Sequence, residues 1–390
     1  MEEAHKIILL VDLSESYGRN LIRGINRYSD SHSPASFCKM PPFFRETYGM
    51  EGILKFAREW GADGIIGQFY NTDEIDGLIK AGLYIIAVDF QEKFRQIPNI
   101  SGAYRKSGEM AAHYFLSKGY KNFGFYGFHQ TVWSREREEG FYAILLKNGF
   151  EASVFTPAAV SSHNFWYYQP SPLQDWLLSL KKPVAIFACD DNRNEHLVEA
   201  AKLANLHIPE EIALLGVDND EIICQYSSPP LSSIQQDEEN AGYRAASLMA
   251  RMIKEKKLIC EDIHVEPLRV VTRQSTDMLA VEDEYIRKAL IFIHNNLDNE
   301  IYVDDVAKQV LLSRRALEKR FLKATGRTVY QEIQNKRIEK VVSLLLESNL
   351  SIQDIAIKCG YQDSKNLSRI FSSIHKLSPS QYRKKYLFQN

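Results

Sequence analysis

One small pattern, written twice near the C-terminus, constrains this chain more than any other feature. The first copy reads Asp305-Val306-Ala307, then Ser313, then Leu317 and Phe321 four residues apart. The second reads Asp354-Ile355-Ala356, then Ser364, then Leu367 and Phe371, again four apart. A short helix, a tight turn and a second helix with one apolar stripe produce that spacing. Gly360 marks the second turn, and Ser313 and Ser364 stand where N-caps of the second helices belong. Two helix-turn-helix units offset by about 49 residues imply an all-α C-terminal domain that reads two successive DNA grooves.

Charge divides at the same place. Residues 301–390 hold 17 Lys+Arg against 8 Asp+Glu, a net of +9, while the rest holds 31 against 42, a net of −11. A basic tail on an acidic body is the electrostatic footprint of a tethered nucleic-acid-binding module. At 390 residues the chain exceeds one ordinary core, so two or three domains are expected. No apolar run reaches membrane-spanning length, and the acidic start at Glu2-Glu3 gives no signal peptide, which points to a cytoplasmic protein without a membrane partner. The five cysteines (Cys38, Cys189, Cys224, Cys260, Cys359) are scattered and odd in number. They read as reduced thiols, with no metal site, disulfide framework or cofactor expected.

The body alternates short β-rich runs with helix-length segments. The runs are 6–13, 62–69, 83–90, 122–128, 184–189 and 212–217. Val, Ile, Leu and Phe fill them almost without alternation, as in strands buried on both faces. Helical segments such as 18–29, 108–118, 137–148 and 194–206 lie between them, which implies parallel sheets with right-handed crossovers. The pattern restarts near Ser101–Gly108, so an α/β domain of two similar lobes with a cleft at the strand ends is expected over 1–278. A linker over 279–285 and a DNA-binding domain over 286–390 complete the division.

Polar and aromatic residues gather just past those strands: Asp12, Ser16, Tyr17 and Arg19, then Asp89, then Trp133, Arg135 and Arg137, then Asp190-Asp191-Asn192, then Asp218-Asn219. Trp166 and Tyr167 sit in a long irregular segment that could fold over the opening. Carboxylates accept hydroxyl hydrogens, Arg and Asn donate, and aromatic faces stack on the C–H side of a sugar ring. The expected sugar-binding set is therefore Tyr17, Arg19, Asp89, Trp133, Arg137, Trp166, Asp190, Asn192, Asp218 and Asn219. Each alone has a plainer reading, since an Asp after a strand is often a cap and a Trp is often core. Clustering at one edge is what favours a pocket.

Four elements in order carry a resemblance. Arg137-Glu138-Glu139-Gly140-Phe141, Leu215-Gly216-Val217-Asp218-Asn219, the 230–236 segment Pro-Leu-Ser-Ser-Ile-Gln-Gln and Arg273-Gln274-Ser275-Thr276 resemble motifs of the LacI-type regulators and type I periplasmic sugar-binding proteins. That resemblance implies Arg137 and Asp218 as sugar-hydroxyl ligands, Asp190 in place of a ligand Asn, and Tyr17 stacked on the ring. Two departures stand out: the family's N-terminal DNA-binding headpiece is missing, and no Asp occurs near Ala103-Tyr104, where the family has one on the linker wall of the pocket.

In the tail, 282–297 reads as an amphipathic helix, 304–310 as a scaffold helix, 313–324 as a reading helix, 328–347 as a connector, and 353–359 with 364–374 as the second unit. Arg314, Arg315, Glu318, Lys319 and Lys323 fall on the outer face of the first reading helix, and Lys365, Asn366 and Arg369 on that of the second. Arg and Lys can read guanine edges and Asn adenine, while any of them can simply hold phosphate. The 356–361 and 378–383 segments resemble the AraC-type DNA-binding domain, with Lys376 where a Gly is usual and Ser372-Ser373 where a basic pair is usual. The first unit is the more basic anchor. The second is the half that ligand binding is expected to bring into contact.

The two modules together resemble the bacterial activators of xylose catabolism. This implies D-xylose as effector, or another pentose or small sugar, a homodimer on double-stranded operator DNA, and contact with RNA polymerase. A sugar-acting enzyme is the competing class, because paired carboxylates serve glycosidic chemistry. No phosphate loop, metal-ligand triplet or nucleophile motif accompanies them, and a DNA-binding tail has no use there.

Overall fold

The computed structural model describes residues 5–32, 35–70, 72–88, 93–157, 169–277, 281 and 283–387. The chain forms two compact units, Met1–Met278 and Leu279–Asn390. The first unit contains two six-stranded sheets, one per lobe.

Lobe one begins with β1 (His5–Leu10), α1 (Ser16–Ser31), β2 (Ala35–Lys39), α2 (Pro42–Trp60), β3 (Gly64–Gln68), α3 (Thr72–Lys80), β4 (Tyr84–Val88) and β5 (Asn99–Gly102). Lobe two holds α4 (Tyr104–Ser117), β6 (Phe123–Tyr126), α5 (Val132–Lys147), β7 (Ala152–Phe155), α6 (Pro170–Ser179), β8 (Val184–Ala188), α7 (Asp191–Leu203), β9 (Ile212–Val217), α8 (Glu221–Tyr226) and β10 (Ser232–Gln236). The chain then returns to lobe one through α9 (Glu238–Glu255) and β11 (Ile263–Val265), and ends in lobe two with β12 (Pro267–Val271). The sheet orders are β11-β5-β4-β3-β1-β2 and β12-β10-β9-β8-β6-β7.

The central strands are apolar throughout because both faces are covered: every residue of β8 and β9 is buried. Edge strands β2 and β7 are half exposed, and no unbroken apolar run announces them. One pairing departs from the expected parallel sheets. β12 runs antiparallel to β10, since it arrives directly from the other lobe and no crossover helix imposes the parallel sense.

Each lobe is braced by two helices that meet at glycines. A Cβ on Gly24 of α1 would lie 1.7 Å from the Glu239 carbonyl oxygen, and one on Gly242 of α9 1.9 Å from that of Leu21. In lobe two, Gly108 of α4 and Gly140 of α5 each stand 2.0 Å, by the same measure, from the Arg137 and Arg105 carbonyl oxygens. Any side chain there would wedge the helices apart. Gly140 thus serves the packing that positions Arg137. The interlobe crossovers lie side by side, tied by Ala103 N donating to Val265 O (2.8 Å) and Asp237 N to Glu266 O (3.0 Å).

The second unit comprises α10 (Glu284–Asn295), α11 (Val303–Gln309), α12 (Arg314–Thr325), α13 (Val329–Glu347), α14 (Ile352–Lys358), α15 (Ser364–His375) and α16 (Pro379–Leu387). The duplicated residues do matching work. Asp305 accepts from Tyr302 N at 3.0 Å and Asp354 from the Ser351 hydroxyl at 2.6 Å, each closing the start of its scaffold helix. Leu317, Phe321, Leu367 and Phe371 are fully buried. Arg337 on the connector α13 joins the halves, donating to Asn299 O (2.7 Å) with its guanidinium 5.8 Å from the Tyr361 ring.

Two expectations need correction here. Ser364 is not the cap of α15; Asp363 is, accepting from Asn366 N at 2.7 Å. Nor is 279–285 simply linker: Val281 is buried, and Asp283 caps α10 while forming a two-pronged ion pair with Arg320 at 2.7 and 2.8 Å. That pair ties α10 to α12, so the packed helical unit starts before residue 286.

Candidate functional site

The cleft between the lobes is built around two arginines, each clamped by a carboxylate and resting on aromatic rings. Arg137, on α5 and 3 % exposed, donates to Asp218 at 3.2 Å and to the Cys189 carbonyl, with its guanidinium 5.3 Å from the Tyr104 ring and 5.5 Å from Trp133. Arg193 donates to Asp190 at 3.0 Å and stands 4.5 Å from the Phe128 ring. Asp190 also caps α7 by accepting from Arg193 N at 2.8 Å. Planar guanidinium groups held this way keep their remaining donors in fixed directions.

Backbone strain aims the Asp218 carboxylate. Asp218 and Asn219 adopt φ of 96° and 50°, a conformation unusual for non-glycine residues and concentrated at functional turns. Gln236 donates to the same Asp218 oxygen at 2.7 Å, and Asn219 is fixed by Arg273 (2.8 Å) and by Ser233 on its backbone N–H (2.9 Å). Burial pushes the Asp218 carboxyl up, with Arg137 pulling it back. At Arg137 the balance reverses, because burial is outweighed by Asp218 and the guanidinium stays charged. Arg137 and Asp218 thus stand at ion-pairing distance, 3.2 Å apart.

Lobe one meets this array through α1. Asp220 accepts from Ser16 N at 3.0 Å and from Arg19 at 2.5 Å, and its other oxygen caps α8 through Ile222 N at 3.0 Å. The side chain of Glu15, the N-cap position of α1, makes no cap bond. A carboxylate from lobe two thus caps the α1 N-terminus, where the helix dipole favours negative charge. Glu15 itself is exposed, with surrounding protein, then Asp190 and Asp218, pushing its carboxyl up and Arg193 opposing.

Of the sequence-derived set, Arg137, Trp133, Asp190, Asp218 and Asn219 are brought together by these contacts. Tyr17 is half-buried against the lobe-one core, and Asn192 is half-buried on α7. Arg19 does interlobe work as well: its guanidinium is engaged by Asp220 and by the Leu13 and Ser14 carbonyls, so it joins the lobes. Asp12 is turned on its own loop, accepting from Ser14. Asp89, Trp166 and Tyr167 lie outside the described residues. Sequence reasoning left Glu15, Arg193, Asp220 and Gln236 out of the set. Arg193 and Asp220 each follow a chosen acid by two or three positions, and Gln236 ends the 230–236 segment, which were the available signals.

On the helical unit, Arg314, Arg315, Lys319 and Lys323 of α12 are exposed and Glu318 is half-buried. Arg314 pairs with Asp304 at 3.1 Å. On α15, Lys365 and Arg369 are exposed, and Asn366 is half-buried with its oxygen 3.5 Å from Arg369. Both cationic faces lie opposite their buried Leu and Phe, the presentation a groove-reading helix requires.

Comparison with known proteins agrees with both halves. A periplasmic binding protein-like domain model matches residues 112–276, and a helix-turn-helix domain model matches 306–385. The chain is a transcription regulator: a periplasmic-binding-protein-like sensor joined to a helix-turn-helix domain. Its likeness to xylose operon regulatory proteins runs end to end. The one from Escherichia coli (strain K12) is 28% identical over 386 residues, covering 97% of each chain. That from Haemophilus influenzae is 29% identical, covering 98% of this chain and 99% of the relative. The solved structure of the xylose-binding transcription activator XylR matches with a TM-score of 0.79 at 28% identity, over 98% of this chain and 99% of that one.

Proposed function

We propose that this regulator senses D-xylose in the interlobe cleft and, when occupied, activates genes for pentose use from a double-stranded DNA operator. The observation that carries the reading is the clamped pair Arg137–Asp218 and Arg193–Asp190 facing one cleft in a chain similar over its whole length to xylose operon regulators. Arg137, Asp190, Asn192, Asp218 and Asn219 supply donors and acceptors to sugar hydroxyls, and Tyr17 and Trp133 supply C–H contacts. Asp89 and Trp166 complete the proposed set. Arg314, Arg315, Glu318, Lys319, Lys323, Lys365, Asn366 and Arg369 form the DNA-facing set. The proposed divisions are sensor to residue 278 and DNA-binding domain from 286, with Asp283 already bonded to Arg320 of the latter.

The regulator works in the cytoplasm as a homodimer that recruits RNA polymerase. Among the described residues, no helix is long and apolar enough to cross a membrane. Sugar binding acts only by favouring one arrangement of the protein, so operator DNA tightens sugar binding reciprocally. Calorimetric titration of D-xylose with and without operator tests this, and equal affinities would sink the coupling. A second reading keeps the mechanism and replaces D-xylose with another pentose or small sugar, because any of them presents similar hydroxyls to these groups. A thermal-shift screen of pentoses and hexoses separates the two, since a ligand of the native state raises its melting temperature.

A further inference from the structure

The wall of the cleft formed by the crossovers carries one acid that the ligand set above leaves out. Glu238 opens α9 immediately after the second crossover, 3 % exposed. Its crossover is hydrogen-bonded, through Glu266, beside the one bearing Ala103-Tyr104, where the chain has no acid of its own. Tyr104 in turn lies 5.3 Å under Arg137. One Glu238 oxygen, Oε1, has no hydrogen-bond partner among the described residues. Burial, then the neighbouring Asp218, push this carboxyl up to about 8, with Arg137 and a hydrogen bond from Asn20 opposing. A buried carboxyl with one idle oxygen costs stability unless something meets it. Nothing in the core packing requires an acid at this position, since the buried α9 residues of the lobe-one core are Ala241, Ala245, Ala246, Leu248, Met249 and Met252.

We propose that Glu238 is a specificity-determining residue of the cleft, bonding one hydroxyl of the bound sugar from the crossover wall and thereby selecting its configuration at that carbon. The inference rests on the small-sugar reading of the cleft. Because Glu238 belongs to the segment that passes between the lobes, a hydroxyl held there is gripped at the hinge while Arg137, Asp190 and Asp218 grip from lobe two. A bonded hydroxyl discriminates far better than apolar contact, because the wrong epimer leaves the buried oxygen unpaired again.

The test is calorimetry on the full chain with D-xylose and its C2, C3 and C4 epimers, D-lyxose, D-ribose and L-arabinose. It compares wild type, Glu238→Gln and Glu238→Ala. The expected result is a loss of at least about tenfold in D-xylose affinity for Glu238→Ala, with Glu238→Gln between it and wild type. One of the three epimer ratios levels and the other two persist. The sugar-free melting temperature holds or rises, because a half-unpaired buried carboxyl has been removed; a merely structural residue would lower it. If wild type binds a pentose and both variants keep its affinity and all three ratios, the Glu238 assignment is overturned alone. If wild type binds none of these sugars, the small-sugar reading fails and takes this inference with it. The isosteric Gln variant decides the matter should the Ala variant fail to fold.

Discussion

Replacing Asp220 with Asn should loosen the closed arrangement of the lobes without unfolding either. Its Oδ2 receives two donors from lobe one, Ser16 N at 3.0 Å and Arg19 at 2.5 Å, while Oδ1 caps α8. Asn caps a helix about as well as Asp, so α8 keeps its start. The amide nitrogen, however, turns a donor toward two donors. The Ser16 bond is buried and charge-assisted, about 2 kcal/mol. The Arg19 end is about a third exposed, which holds its share to about 1 kcal/mol. Roughly 3 kcal/mol of interlobe attraction is lost, near a hundredfold in the closing equilibrium. Calorimetry should show effector affinity falling by tens of fold, and small-angle scattering should show a larger radius for the sugar-free protein. The melting cooperativity of each unit should stay unchanged. Full effector affinity with an unchanged radius would refute the view that Asp220 holds α1 across the cleft.

Asp218→Ala should abolish the response to sugar while DNA binding without effector persists in a gel-shift titration; lost DNA binding with retained sugar affinity would contradict its place in the cleft. Arg369→Ala should weaken operator binding by roughly 1–3 kcal/mol if it reads a base, and equally on random DNA if it holds phosphate. Lys376→Gly should stabilise the helical unit by about 1 kcal/mol, because Lys376 ends α15 at φ 59°. Conversely, Gly360→Ala should cost at least about 2 kcal/mol, since φ is 68° and a Cβ would meet the Leu297 and Asn299 oxygens at 2.7 and 2.8 Å. As to pH, Glu238 is raised from 4.5 to about 8 in the folded protein. Its contribution is therefore fully present below about pH 4.5 and is lost as pH rises toward 8. The melting temperature should fall between pH 5 and 8, and Glu238→Gln should flatten part of that slope; an identical slope in the variant would be the contrary result.

How much was legible depended on the range of the interaction. Periodicity is local, so the central strands, the helices of both helix-turn-helix units and the buried Leu317, Phe321, Leu367 and Phe371 could be read directly. Edge strands β2 and β7 could not, because an exposed edge has no unbroken apolar run. The position of Ser364 beside Asp363 left the choice of cap to backbone geometry. In the cleft, Arg137, Asp190 and Asp218 were visible as polar residues past strand ends. What each pairs with was not.

By itself, then, the sequence determined a two-lobed α/β body, a duplicated DNA-reading tail and the division of charge between them, all consequences of spacing and composition. Only the tertiary structure decided which polar groups meet. Asp220 bonds Ser16 across 204 residues, and no local pattern reports a contact that long. The same holds for Arg19, which sequence alone offers as a ligand donor and the fold also makes a clasp between lobes. Glu238 is the converse case, an acid in an ordinary helix start that becomes a buried group with an idle oxygen only because the fold brings Asn20, Arg137 and Asp218 around it.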